Sequence, residues 1–396
     1  MNKDIQAYKK YALTFLLFIV LLFLLFWGYL GKLASQNDTS CIALEETPRN
    51  DLEILQELQV VLDEYSQSHD NVGLQATVLL PDGSEWNGAS GYANDTKACP
   101  LTLTHNLYVG SITKTFTASL VMEQVEAGLI HLDDPISVWI PYSEGDGITV
   151  EMLMRHTSGT PSYTEDTSFL LAYFGRPQKQ WTPDEMLAAI KDKPLKFEPG
   201  KRHEYSNTNY LLLGMILEEV TGKPYGELLH NAATKMGLDR IYYPAYPNIL
   251  ILANGYDETL LNLGKRNLTA FRTSMESGAF SAGGIAASSH DVAVYFHILF
   301  SGEWLADETV AQMMNTIDAP DEDLPLQIGY GLGVRNFVID SEAVYGHTGT
   351  IPGYSGIAMY NPSKGYTIVI LSNVSTIKQT DIYASLQKII LEYLDR

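Results

Sequence analysis

Cysteine is scarce in this chain: Cys41 and Cys99 are the only two in 396 residues. Two thiols cannot build a zinc cage, and the nine His are scattered without an H-E-x-x-H or H-x-H pair, so neither a metal site nor a cofactor is expected. Basic residues are also few. Lys and Arg number 26 against 47 Asp and Glu, for a formal net charge of −21. Lys3, Lys9, Lys10 and Lys32 fall within the first 32 residues beside one acid, Asp4, which leaves 22 basic and 46 acidic residues in the rest. So acidic a surface repels phosphate backbones and no Lys/Arg cluster offsets it, so no nucleic-acid partner is expected and the charge serves solubility. The G-x-S-x-G elbow of α/β-hydrolases is missing too.

One long hydrophobic run is present. Tyr11 to Leu30 carries no charge, and at about 1.5 Å per residue it reaches roughly 30 Å, the thickness of a hydrocarbon core. A cleavable signal has a shorter apolar region of about 7–15 residues, and the small pair Ala34-Ser35 follows Lys32 and Leu33, a poor cleavage site. Lys3, Lys9 and Lys10 place the N-terminus in the cytoplasm. The expected organisation is a cytoplasmic tail (1–10), a transmembrane anchor (11–31), a polar stalk (32–49) and one extracellular domain (50–396), making a single-pass protein of the cell membrane. Outside the membrane the two Cys could be bonded or could remain free buried thiols.

Apolar residues, 45% of the chain, suffice for a sizeable core. Leu52, Ile54, Leu55, Leu58, Val61 and Leu62 recur at helical spacing over Asp51–Tyr65. GLQATVLL, Pro81-Asp82-Gly83 and SEWNGASGYA read as a hairpin. A helix follows Ser111 and stops at Gly128, and another runs from Asn209 to Val220 before Thr221-Gly222-Lys223-Pro224. SGIAMY and YTIVILSN flank an Asn361–Gly365 turn as two strands, and Asp381–Leu394 closes the chain as a helix. The pattern predicts an α+β body: a mainly antiparallel sheet, N- and C-terminal helices, and a helical insertion over about 150–300.

For chemistry, the chain offers Ser-x-x-Lys. When Ser opens a helix, Lys one turn later lies beside the hydroxyl, and a buried, neutral amine can take its proton. Three such pairs occur: Ser111/Lys114, Ser375/Lys378 and Ser385/Lys388. Ser385 lies inside a helix and Ser375 in a polar loop, whereas Ser111 follows a Gly and opens an apolar helix. Tyr-x-Asn also occurs three times, at Tyr92/Asn94, Tyr205/Asn207 and Tyr246/Asn248, and only Tyr205 stands just before a clear helix. A phenol there can relay a proton and an amide can hold a carbonyl. His347-Thr348-Gly349-Thr350 occurs once and leads into the strand pair, where an edge amide can point into an oxyanion hole.

In this order and spacing, S-x-x-K, Y-S-N and H-T-G resemble the serine β-lactamase and penicillin-recognising family, in the branch of class C β-lactamases and D-alanyl-D-alanine carboxypeptidases. The phrases MLMRHTSGTPSY, FEPGKRHEYSNTNYLLLGMILEEVTGKPY, SAGGIAASSHDVAVY, GYGLGV and YGHTGTIPGYSG agree, over about residues 50–396. The resemblance implies Ser111 as acylated nucleophile, Lys114 as its base partner and Tyr205 as the phenol of acylation and deacylation. It implies Asn207, His347, Thr348, Gly349 and Thr350 as substrate-binding residues, with Arg335, directly after GYGLGV, set for a terminal carboxylate. His347 stands where β-lactamases of this branch carry Lys, which favours a D-Ala-D-Ala carboxypeptidase acting on cell-wall peptide. An esterase or weak β-lactamase is the first alternative, and a non-catalytic penicillin-binding sensor the second. The expected partners are peptide or small acyl substrates, and the membrane through the anchor.

Overall fold

The computed structural model describes residues 2–36, 38–42, 54–70, 72–96, 98–142, 145–244, 251–257 and 265–396. Its helices include α1 (Asn2–Gln36), α2 (Leu55–Ser68), α3 (Thr113–Glu126), α4 (Thr167–Gly175), α5 (Asn207–Thr221), α6 (Arg272–Gly283), α7 (Ser289–Phe300) and α8 (Gln379–Leu394). Eight strands make the main sheet: β1 (Leu74–Leu79), β2 (Glu85–Ser90), β3 (Ile317–Asp318), β4 (Gln327–Tyr330), β5 (Arg335–Ile339), β6 (Glu342–Ile351), β7 (Tyr354–Tyr360) and β8 (Thr367–Ser372).

The spatial order is β3-β4-β5-β6-β7-β8-β1-β2, and every pairing is antiparallel. The N-terminal hairpin thus docks on the last strand, Leu74 facing Ser372. Helices cover both faces, which is why β1 and β8 are buried at every position rather than alternately. Ile368 and Ile370 face α2 and α8 with Leu58, Leu62 and Leu386. Val369 and Leu371 face the larger core, with Phe116 of α3 and Phe296 of α7. The fold is the expected α+β, with a large antiparallel sheet and a helical part between its first and last strands.

Local signals held, with shifted boundaries. Gly83 adopts φ +82° in the hairpin turn, and Gly128 and Gly222 stop their helices at φ +69° and +66°. The helix expected from Asp51 is described from Leu55; residues 51–53 lie outside the described residues. The helix expected from Asn209 starts two residues earlier, because the hydroxyl of Ser162 accepts the Asn207 amide at 3.2 Å and satisfies that first-turn donor from another segment. The second hairpin strand stops at Ser90. Gly91 turns at φ +75°, and Tyr92–Asn94 pairs instead with Cys99–Pro100.

The N-terminal helix is longer than the expected span, continuing to Gln36. Phe18 to Phe26 are exposed. Leu30 and Leu33 are buried against Leu268, Ala270 and Phe271 of the domain. The segment expected as a stalk is pinned at residues 38–42. Asn94 donates to Asp38, the Leu252 amide donates to Thr39 Oγ1 at 3.0 Å, and Cys41 is bonded to Cys99. The sequence left that cysteine pair open, and a Cα–Cα separation of 5.4 Å closes it. Residues 43–50 lie outside the described residues.

Candidate active site

Ser111 sits in a single 3₁₀ turn (Gly110–Ile112) that runs into α3, the most buried helix of the molecule. Gly110 bends the chain into it at φ +53°. A Cβ on Gly110 would stand 2.8 Å from the Thr350 amide nitrogen, and one on Gly349 would meet Val109 O at 1.9 Å and Ser111 N at 3.0 Å. Only glycine fits either position, and their close approach sets the Ser111 amide beside β6. β5 pairs with β6 no further than Gly346, so His347–Ile351 presents an outer edge with no strand partner. The backbone amides of Ser111 and Thr350 lie close to each other there.

Lys114 is fully buried one turn after Ser111. Its Nζ lies 3.0 Å from Ser111 Oγ, 2.8 Å from Asn207 Oδ1 and 2.7 Å from the Ala282 carbonyl. Burial first, and the Arg335 charge second, hold its pKa well below the ordinary value. A neutral amine has two N–H groups and one lone pair. Asn207 Oδ1 and Ala282 O accept only, so they take both N–H groups and the lone pair is left for the Ser111 proton. The Ala282 carbonyl owes its aim to a break in α6, where Phe280 has φ +43°, ψ −135°, a strained backbone for a non-glycine residue.

Tyr205 lies just before α5. Its hydroxyl is buried without a regular hydrogen bond among the described residues, and its ring lies 4.2 Å from the His156 ring, tilted by 35°. Burial raises the phenol, while the Arg335 charge and then the Ser111 hydroxyl pull it back. It stays protonated at neutral pH and can hand that proton to a leaving group. Asn207, besides holding Lys114, donates from Nδ2 to Thr164 Oγ1 at 2.9 Å.

His347 and Arg335 are placed behind the cleft rather than in it. His347 is fully buried, and Arg335 lies in the floor beneath Tyr205, its Cζ 4.9 Å from that ring. Arg335 donates to Gln327 Oε1 and, at 3.3 Å, to Asp321. His347 Nδ1 meets the Thr348 carbonyl, so that nitrogen carries the proton and Nε2 accepts from the Tyr330 hydroxyl at 3.0 Å. The Tyr330 oxygen then accepts from His156 Nε2 at 3.2 Å, leaving His156 Nδ1 to accept from the Ser206 amide and Asn209 Nδ2. One buried wire thus joins the Y-S-N segment to the H-T-G strand. Burial, chiefly, holds both histidines well below the ordinary imidazole value, and His203 nearby is pushed down to about 4.

The cleft in front of Ser111 encloses about 220 Å³, walled by Tyr163, Phe169, Leu170, Tyr173 and Phe174 and by the Thr350–Pro352 segment. A dry cavity of about 150 Å³ takes a benzene ring, so an aromatic or branched side chain fits here. No Lys or Arg lines it. Among the described residues no His/Cys/Asp/Glu group could hold a metal ion.

Of the sequence candidates, Ser111, Lys114, Tyr205, Asn207 and Thr348–Thr350 converge. The decoys do not: Ser375 Oγ donates to Asp257 and Ser385 Oγ to the Asp381 carbonyl inside α8. Tyr92 and Asn94 lie in the small two-strand ladder, and Tyr246/Asn248 lie outside the described residues. Sequence reading missed His156, Tyr330 and the Ala282 carbonyl. The first two lie inside the phrases MLMRHTSGTPSY and GYGLGV, but nothing in their spacing announces a shared hydrogen bond.

A family model for β-lactamases matches residues 58–388. A putative penicillin-binding protein (PbpX) of Bacillus subtilis is 26% identical over 309 residues, 76% of this chain and 71% of its own. A D-stereospecific amidohydrolase from Streptomyces sp. superposes with a TM-score of 0.72 at 29% identity, covering 84% of this chain and 98% of that one. A D-amino acid amidase from Ochrobactrum anthropi SV3, solved with D-phenylalanine, superposes with a TM-score of 0.77 at 25% identity, over 86% and 100% of the two chains.

Proposed function

The chain belongs to the β-lactamase family of serine hydrolases, and from that membership we propose that it cleaves amides of D-amino acids through an acyl-enzyme on Ser111. The observation that carries the chemistry is the Lys114 Nζ, 3.0 Å from Ser111 Oγ and held by Asn207 Oδ1 at 2.8 Å and the Ala282 carbonyl at 2.7 Å; when the amine is neutral its two N–H groups go to those acceptors and its lone pair to the hydroxyl. Lys114 takes the hydroxyl proton as Oγ attacks, and the Ser111 and Thr350 amides hold the developing oxyanion. Tyr205 gives its proton to the departing nitrogen. Lys114 passes its proton to Tyr205, and water then attacks the acyl carbon, releasing the acid as the water proton restores the Ser111 hydroxyl.

The apolar, ring-sized cleft without a cation favours an uncharged substrate end, and two similar structures are named a D-stereospecific amidohydrolase and a D-amino acid amidase. A second reading is a D-alanyl-D-alanine carboxypeptidase acting on cell-wall peptide. It is favoured by Arg335, whose Nε is buried with no partner among the described residues under the Tyr205 ring. Turnover of D-phenylalaninamide, acyl-D-Ala-D-Ala, a p-nitrophenyl ester and nitrocefin by the full chain in detergent separates these readings. D-phenylalaninamide is expected to be the best. A higher kcat/KM for the dipeptide would install the carboxypeptidase, and acylation by none would end both.

We also propose that α1 is retained as a membrane anchor with the catalytic domain outside. Removing it would uncover Leu268, Ala270 and Phe271, which Leu30 and Leu33 now bury.

A further inference from the structure

The anchor and the cleft share a wall. Leu30 and Leu33 pack on Phe271, the Phe271 ring meets Phe174 at 5.7 Å, and Phe174 lines the cleft beside Ser111. Two aromatic rings therefore separate the end of the hydrophobic helix from the cleft that Ser111 lines. The level of the bilayer is marked by Trp27, an aromatic at the outer end of the apolar run, with the Arg266 guanidinium 5.7 Å from its ring. From Trp27 to Leu33 the helix rises only about 9 Å, comparable to the headgroup layer. α4 packs its Phe174 against the cluster of Leu30, Leu33 and Phe271. Its Phe169 and Tyr173 are buried and its Leu170 and Phe174 face the cleft, yet Leu171 between them is 72% exposed. An exposed apolar side chain on the helix that touches the anchor's seat has lipid as its natural cover.

We propose that the cleft opens at the outer surface of the bilayer and takes aminoacyl groups carried on membrane-anchored molecules. The proposal rests on the acyl-enzyme reading and on retention of the anchor. A carrier held in the same bilayer keeps its acyl group at high local concentration at the mouth, whereas a diffusing peptide must enter through headgroups. The chemistry is unchanged: Ser111 Oγ bonds to the acyl carbon, the carbon–nitrogen bond breaks, and the carrier amine leaves with the proton from Tyr205.

Both native cysteines are bonded, so Leu171→Cys supplies one free thiol for a polarity-sensitive dye on the full chain in phosphatidylcholine vesicles. Leu129→Cys, exposed about 20 Å or more from Ser111 beyond the far end of α3, is the reference. Spin-labelled lipid should quench the Leu171 dye and spare the Leu129 dye; equal, weak quenching at both would overturn the placement. For substrate, D-phenylalanyl-phosphatidylethanolamine in the vesicles is compared with water-soluble D-phenylalanyl-ethanolamide, which has the same scissile bond. The lipid form should turn over at least tenfold faster at equal bulk concentration. Equal or slower turnover would overturn the substrate inference even where the dye is quenched. Hydrolysis of neither, or hydrolysis that survives Ser111→Ala, would overturn the hydrolase reading and the substrate inference with it, while the quenching still judges the placement.

Discussion

Tyr330 gives its hydroxyl proton to His347 Nε2 across 3.0 Å, and that bond settles the tautomers of two buried histidines at once. His156 has to donate to the same oxygen, and His347 has to point its other N–H at the Thr348 carbonyl. The segment holding Tyr205 and the strand holding Thr350 are therefore fastened through one phenol.

Tyr330→Phe should cost stability and rate together. It leaves His347 Nε2 without a donor and His156 Nε2–H without an acceptor, each buried. At about 1–3 kcal/mol per orphaned group, unfolding free energy should fall by about 2–6 kcal/mol. Urea denaturation measures the loss. An unchanged midpoint would mean that the wire is not closed in solution.

The two histidines also make stability depend on pH. Their folded pKa values lie below the unfolded value near 6.5, so the unfolded chain binds protons first as pH falls. Their contribution is complete above about pH 6.5 and is lost on acidification toward the folded values. By pH 5 each could remove up to about 2 kcal/mol. Denaturation midpoints should thus drop between pH 7 and pH 5. His290, raised by Asp291, acts in the opposite sense and offsets part of the loss.

Ser111 alone should be labelled by a fluorophosphonate. Ser111→Ala should abolish labelling, while Ser375→Ala and Ser385→Ala should not, since neither hydroxyl has an amine partner in the structure. Lys114→Ala should slow acylation by on the order of 10²–10⁴.

Two glycines separate backbone strain from catalysis. Gly110 and Gly128 both have positive φ, +53° and +69°; Ala at Gly128 should destabilise by about 1 kcal/mol from backbone strain alone, and Ala at Gly110 by more. A Cβ at Gly128 meets nothing within 4 Å, whereas at Gly110 it meets the Thr350 amide nitrogen at 2.8 Å. Gly110→Ala should therefore cost about 10²–10³ in kcat and Gly128→Ala almost nothing. Equal activities would remove Thr350 from the oxyanion hole.

Arg335→Met is expected to act through Tyr205. The guanidinium lies against that ring and is already paired with Asp321, so turnover of D-phenylalaninamide and of acyl-D-Ala-D-Ala should fall by similar factors. A loss confined to the dipeptide, about 1.5–3 kcal/mol in kcat/KM, would identify Arg335 as the carboxylate clamp.

Much of this molecule was legible in its residue order. The hairpin of β1 and β2, the helix after Ser111, the closing strands and the α+β class follow from periodicity and turn chemistry, both of them local. Ser111 was separable from Ser375 and Ser385 because a Ser that follows Gly and opens an apolar helix leaves a local trace. Tertiary structure decided what depends on distant residues. Ser162 set the start of α5, and Cys41 found Cys99 across a separation of 58 residues. Arg335 and His347 carry the polar side chains of a binding site, yet neither lines the cleft: Asp321 and Gln327 pair with one end of the Arg335 guanidinium, whose Nε has no partner among the described residues, and Tyr330 donates to His347. The Ala282 carbonyl that claims one Lys114 proton has no side chain to announce it. Charge, periodicity and turns act over a few residues and can be read in order; who satisfies a buried polar group is settled only when the chain closes on itself.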